Sequence, residues 1–353
     1  MEESIPKLEL TPISASRVKT FENCSWLYYC KYILKIPEPN NEGALKGSVC
    51  HSIFELLLTA KHRSKYDAIV KAGALSGCPS VDRLTRAYMR KNKLPVDNPA
   101  IYELIDKMIL VGLKNDFFVK GGTLVKPEYE FNILNQDPVY LIKGFMDKPF
   151  IKGKRIIIDD FKSSKKKFEG EDIESNLQGL IYSLACTKVW PELIPEVRFI
   201  FLQFPEDPIM KVKFTKEQLR GLEHYLADIQ KKLDSFSYEQ AHSNMASNQG
   251  MPTTGEFKGK LLCGFSKRSG QLKKDGSLMF ACPMKWEKKY FVVKRGSKVI
   301  KSYLNKEDIV LKEGDVIEDA FYEGCPSYRN VLDDMPNTPI AEKKTYANPL
   351  DDF

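Results

Sequence analysis

Asp147, in Gly144-Phe-Met-Asp147, and Asp160, in Asp160-Phe-Lys162, are the strongest chemical signal in this chain. Each acid closes an apolar run that reads as a strand. The two carboxylates therefore fall at strand ends of what reads as one hairpin, where neighbouring strands lie about 4.8 Å apart. A pair so placed can share one hard divalent cation; Mg2+ takes oxygen ligands at about 2.0–2.1 Å and retains several waters. Lys162, two residues after Asp160, shares its face of a strand. Such a set suits hydrolysis of a phosphodiester: the metal activates water and offsets charge developing on the phosphate, and the lysine orients or deprotonates the nucleophile. Alone, Asp-x-Lys is a weak signal, because acids at strand ends are ordinary surface charge.

Two helix-spaced pairs add to it. Gln178 and Tyr182 stand four apart on the next expected helix and share a face; both can hydrogen-bond phosphate or water, although Tyr182 can equally be core. His51 and Glu55, in Gly47-Ser-Val-Cys-His51-Ser-Ile-Phe-Glu55, share a face of an earlier helix. A lone histidine of this kind is more often a partly buried residue than a ligand.

The elements that must position these residues follow from periodicity. A cap at Ser14 predicts a helix over 14–33, ended by Pro37 and Pro39. A second helix is expected over 43–61, and 62–120 reads as helical with breaks near 77–79 and 95–99. Strands are expected over 127–134, 139–145 and 155–161, with Gly153-Lys154 turning a hairpin between the last two. A helix over 176–190, strands over 197–204 and 209–214, and a helix over 215–236 opened by a Thr215/Gln218 capping box complete the core. The expected architecture is a mixed α/β sheet flanked by helices. It divides as an N-terminal helical layer at 1–125, a catalytic core at 126–240, a basic C-terminal extension at 241–335 and an acidic tail at 336–353.

In this order and spacing, the motifs resemble the PD-(D/E)XK nuclease superfamily, and within it the RecB-like exonuclease branch. The resemblance starts at Leu10-Thr-Pro-Ile-Ser-Ala-Ser-Arg-Val-Lys-Thr-Phe-Glu-Asn-Cys24 and runs through the His51, Asp147, Asp160-Phe-Lys162 and Gln178/Tyr182 motifs to about residue 215. It implies a restriction-endonuclease-like fold and a metal-dependent DNA exonuclease of replication, recombination or repair. It also implies that His51, Asp147, Asp160 and the Phe161 carbonyl bind Mg2+ or Mn2+. Lys162 would be the catalytic lysine, with Gln178 and Tyr182 contacting DNA or steadying the site, and Glu128 or Glu130 on the strand before the hairpin would approach it. Two other readings stay open: a nuclease-fold DNA-binding scaffold or loader that does not cut, and a structure-specific endonuclease of the same superfamily.

Composition sets the frame. The chain has 353 residues, 54 Lys/Arg and 47 Asp/Glu, and 42% hydrophobic residues, which is the range of a globular protein. No apolar run reaches the ~20 residues of a membrane helix, the N-terminus does not read as a signal peptide, and a cytoplasmic, phage or bacterial setting is expected. No G-x-x-x-x-G-K-[ST] is present, so no nucleotide cofactor is expected. Many relatives of the RecB-like branch carry a [4Fe–4S] cluster on one early and three closely spaced late cysteines. Here Cys24 matches the first, but Cys263, Cys282 and Cys325 are widely spaced, so a cluster is not expected and the thiols read as structural. Residues 256–301 hold 13 Lys/Arg against 3 Asp/Glu, with aromatics interleaved. Lys267, Arg268, Lys273 and Lys274, with Lys165, Lys166 and Lys167 beside the catalytic motif, are the expected DNA contacts, although the aromatics could instead fill a small core. Residues 302–353 hold 5 Lys/Arg against 12 Asp/Glu. The acidic tail, ending in Phe353, resembles a docking tail for a replication or recombination protein, though a flexible end is the plainer reading.

Overall fold

The computed structural model describes residues 10–39, 41–244 and 282–326. It divides into two units, one of residues 1–19 and 40–236 and one of residues 20–39 and 237–353. The helices in chain order are α1 (Ala15–Asn23), α2 (Ser25–Tyr28), α3 (Glu42–Leu58), α4 (Arg63–Ala72), α5 (Pro79–Lys91), α6 (Pro99–Lys114), α7 (Leu177–Val189), α8 (Lys216–Asp234) and α9 (Tyr238–Ala241). The strands are β1 (Thr123–Leu124), β2 (Tyr129–Gln136), β3 (Val139–Met146), β4 (Lys148–Lys152), β5 (Arg155–Lys162), β6 (Ile194–Phe201), β7 (Ile209–Val212), β8 (Lys288–Arg295), β9 (Lys298–Tyr303) and β10 (Val316–Tyr322).

The first unit is built on a five-stranded sheet in the order β1-β4-β5-β6-β7. Only β5 and β6 run parallel, with α7 as the crossover between them. Ile156 to Phe161 of β5 are all buried, as expected of a strand covered on both faces. Ile157 and Phe161 pack into one cluster with Ile53, Phe54, Ile105 and Ile109 of α3 and α6. The alternate residues turn to α7, where the Phe199 ring lies against Gly179. This is the mixed, helix-flanked sheet the patterning predicts. Strands β2 and β3 form a separate two-stranded ribbon. Ile13 bridges to Ile142 on its free edge, and α8 reaches it through Gln230, whose Oε1 accepts from the Leu141 amide at 2.9 Å.

One pairing differs from expectation. The Gly153-Lys154 turn joins β5 to β4 rather than to β3, whose partner is β2. Strand β4 reads Lys-Pro-Phe-Ile-Lys, and its opening lysine and proline disguise it, since proline is scarce within sheets. Asp147 is thus the single residue between β3 and β4, at the point where the chain leaves one sheet for the other.

In the second unit, the helix expected over 14–33 breaks at Cys24, which takes an extended conformation and caps α2 through its sulfur; a π-helical turn, Tyr29–Ile33, follows. The three-stranded sheet β10-β8-β9 has Tyr290, Val292 and Val293 in its interior. The Trp26 indole donates to Tyr322 Oη at 2.8 Å, tying α2 to β10. Among the described residues no helix is long and apolar enough to cross a membrane.

Candidate active site

The site lies where Asp147, β5, α3 and α7 meet. Glycine at 47 lets α3 approach, because a Cβ there would come within 2.6 Å of the Ser163 hydroxyl. That approach brings His51 to the strand end. Its Nε2 lies 3.1 Å from the Phe161 carbonyl. Its Nδ1 lies 3.5 Å from Asp147 Oδ2 and 3.7 Å from Glu128 Oε1. Burial would lower the imidazole pKa, but Asp147, Glu128 and Asp160 outweigh it and raise it to about 9. Asp147 Oδ2 also accepts the Phe161 amide at 2.8 Å. Burial and then the nearby Asp160 carboxylate push Asp147 above the usual carboxylate range, against the pull of His51.

One ligand atom each from His51, Glu128 and Asp147 fall within 4.8 Å of one another. Glu128 earns its place through its backbone: it sits at φ +48°, a region glutamate rarely adopts, with its amide on the Asp147 carbonyl at 3.0 Å. Of the two glutamates flagged in the sequence, Glu128 is therefore the one that reaches the site. Glu130 faces outward and pairs with Lys143 at 2.9 Å. Glu55, one helical turn beyond His51, is exposed and does not join the site.

Asp160 is 2% exposed. Its Oδ1 accepts from Gln178 Nε2 at 2.9 Å, and the Tyr182 hydroxyl lies 3.2 Å away. Its Oδ2 is buried and takes no hydrogen bond. The Lys162 ammonium lies 2.7 Å from that oxygen and forms an ion pair with it. That ammonium supplies the positive charge a buried carboxylate oxygen requires. The His51, Glu128 and Asp147 donors beside it make a set with two carboxylates that fits a hard divalent ion. The Phe161 carbonyl is held by His51, so metal binding there would require the imidazole to let go.

Gln178 and Tyr182 steady this arrangement. Gln178 Oε1 accepts from Lys162 Nζ at 2.6 Å, while its amide nitrogen serves both Asp160 and the Tyr182 oxygen, the latter at 2.7 Å. The Tyr182 hydroxyl in turn donates to the Phe145 carbonyl at 2.7 Å. Burial and then Asp160 raise Tyr182 well above the ordinary phenol range, so it stays a donor. Tyr182 is buried and so is a positioning group rather than a surface contact. Tyr182→Phe orphans the Phe145 carbonyl, and is expected to cost ~1–3 kcal/mol in urea unfolding; an unchanged midpoint would show the bond to be dispensable.

The expected basic contacts divide. Lys165 and Lys166 are exposed beside the site. Lys167 is tied to Asp207, at 2.7 Å from its carboxylate. Lys267, Arg268, Lys273 and Lys274 lie outside the described residues, as do Cys263 and the acidic tail. In the described part of the basic segment, Lys294 pairs with Glu318 and Arg295 with Asp315. Tyr290 there is core, whereas Trp286 is half exposed.

The thiols are closer together than their sequence spacing suggests. In the second unit, Cys30 Sγ donates to Tyr322 Oη at 3.7 Å, and that hydroxyl donates to the Met284 carbonyl at 2.9 Å. The Cys325 amide donates to Lys285 and the Lys285 amide to Cys282. Burial pushes the Cys30 thiol up, and Cys325, Cys282 and Cys24 add to that rise. The fold thus brings Cys30 to the segments that carry Cys282 and Cys325.

Sequence comparison agrees with this geometry. No curated protein matches the chain. A family model described as the PD-(D/E)XK nuclease superfamily matches residues 12–258, a span that contains His51, Glu128, Asp147, Asp160, Lys162, Gln178 and Tyr182. That match covers more than half of the sequence, and the chain belongs to the PD-(D/E)XK nuclease superfamily.

Proposed function

We propose that the protein is a metal-dependent DNA exonuclease of the RecB-like branch, acting on DNA ends in replication, recombination or repair. The observation that supports it most is the grouping of the His51, Glu128 and Asp147 donors close to the Asp160–Lys162 ion pair. A bound Mg2+ or Mn2+ would activate water and offset phosphate charge. Lys162, aimed by Gln178, orients the attacking water and stabilises charge on the scissile phosphate. Lys165 and Lys166 track the adjoining backbone, and the acidic tail docks a replication or recombination protein.

End-labelled linear DNA, single- and double-stranded, should be degraded progressively with Mg2+ or Mn2+ and spared with EDTA, while covalently closed circles stay intact. Nicking of the circles would make it an endonuclease instead, and inertness towards every substrate would favour a scaffold.

The second unit offers a soft donor set. Cys24, Cys30, Cys282 and Cys325 supply four thiols, the number a [4Fe–4S] cluster takes. Such a group would tie the chain's early and late segments together. Protein prepared without oxygen is expected to carry iron and sulfide with visible absorption, and Cys24→Ser and Cys282→Ser should lose both. A colourless, iron-free wild type would leave the thiols structural, as the sequence spacing alone implies.

A further inference from the structure

The β2–β3 ribbon continues outward from the carboxylates of the site, and its solvent face is not what an idle surface would carry. In its register Glu130 stands opposite Phe145, Asn132 opposite Lys143, Leu134 opposite Leu141 and Gln136 opposite Val139. Glu128, whose amide binds the Asp147 carbonyl, extends the same ladder by one rung. Phe145 therefore belongs to the first rung beyond Glu128 and Asp147 on its face, two residues from Asp147 along the strand, or about 7 Å. The Phe145 ring is 49% exposed, Leu134 55% and Val139 47%. Tyr182 pins the Phe145 carbonyl, so the backbone under the ring is fixed to the active site. Glycine at 144 lets the buried Phe131 ring lie against the strand, since a Cβ there would come within 2.6 Å of it. The ribbon is thus packed firmly below, while its upper face leaves Phe145, Leu134 and Val139 open among polar neighbours.

Lys143, the next outward residue on this face of β3, is held by Glu130 in a half-exposed pair that a phosphate can displace at little cost. An aromatic face followed by a cation is the pattern of a platform for unpaired nucleotides: a base stacks on the ring and the neighbouring phosphate meets the ammonium. A duplex keeps its bases stacked on each other and cannot use the ring in this way.

We infer that the Phe145 face seats the unpaired base next to the scissile phosphate, with Lys143 on the following phosphate, so that the substrate is a single-stranded DNA end. This rests on the nuclease reading of the same site, and the test separates the two. Binding of a fluorescent single-stranded oligonucleotide is measured by anisotropy with Ca2+ in place of Mg2+, and cleavage is measured in parallel with Mg2+. Phe145→Ala is expected to weaken binding about tenfold, Phe145→Trp to restore it, and Lys143→Gln to flatten the dependence on salt.

An oligonucleotide with one abasic position, scanned along the strand, should lose affinity for the wild type at a single position. It should lose none there for Phe145→Ala. Equal binding by Phe145→Ala and wild type, or an abasic penalty that persists in the variant, would overturn the inference. If the wild type shows the expected binding pattern but cuts no DNA, the platform stands and the exonuclease reading falls.

Discussion

Lys162→Ala is expected to slow DNA hydrolysis about 10³-fold while leaving the protein folded. The ammonium is three-quarters shielded and aimed by two partners, Gln178 Oε1 at 2.6 Å and Asp160 Oδ2 at 2.7 Å. A fixed cation aimed at developing phosphate charge, or a group that moves a proton of the attacking water, contributes roughly 10²–10⁴ in rate. The fold depends on it far less, because Asp160 keeps Gln178 and remains close to Tyr182 when the lysine goes. The loss should appear in kcat, with single-stranded DNA affinity in Ca2+ within a few-fold of wild type. Lys162→Arg should not restore the rate, because a planar guanidinium cannot occupy the position of a compact ammonium between those two partners. Activity within tenfold of wild type in Lys162→Ala would remove this lysine from the chemistry.

The linear pattern showed these participants clearly and their surroundings poorly. Asp160-Phe-Lys162 is legible because strand alternation puts residues 160 and 162 on one face, and that is the face turned to Gln178 and Tyr182. His51 is legible only as part of an ordered set of motifs, since its three partners are separated from it by more than 70 residues of sequence. Strand β4 was hidden by Lys148 and Pro149, and with it the fact that Asp147 bridges two sheets. The break at Cys24 was hidden because a run dense in apolar residues carries no sign of where a sulfur will cap the next turn. The nearness of the Cys30 segment to the Cys325 segment comes from α2 and β10 packing together, which distance along the chain does not encode.

Asp159 carries the largest stability effect expected in the molecule, and it sits back to back with the active site. It neighbours Asp160 on β5, so it points to the opposite face, into the helical layer. There it meets Lys148 at 2.5 Å and the Arg198 guanidinium, with Nη2 at 2.8 Å; Lys148 and Asp159 are wholly buried and Arg198 nearly so. Lys148 also donates to the Phe117 carbonyl at 3.0 Å.

Two cations share one buried anion here, helped by Asp116 at 3.7 Å from Arg198 and, more weakly, by Glu196. Asp159→Asn leaves both cations without it and is expected to cost ~3–5 kcal/mol, a large share of the ~5–15 kcal/mol that holds a typical protein together. Lys148→Met should cost less, about 1–3 kcal/mol for the orphaned Phe117 carbonyl, because Arg198 still neutralises Asp159 with two hydrogen bonds. Burial already lowers the pKa of Lys148, so its charge is the cheaper one to lose.

Lys148 and Asp159 are also direct partners in the β4–β5 register, one rung from Asp147 and Asp160. The ionic pair on one face therefore fixes the spacing of the two carboxylates on the other. Urea midpoints that rank Lys148→Met below Asp159→Asn would contradict the charge argument. A stably folded Asp159→Asn with unchanged Mn2+ affinity would contradict the link between the two faces.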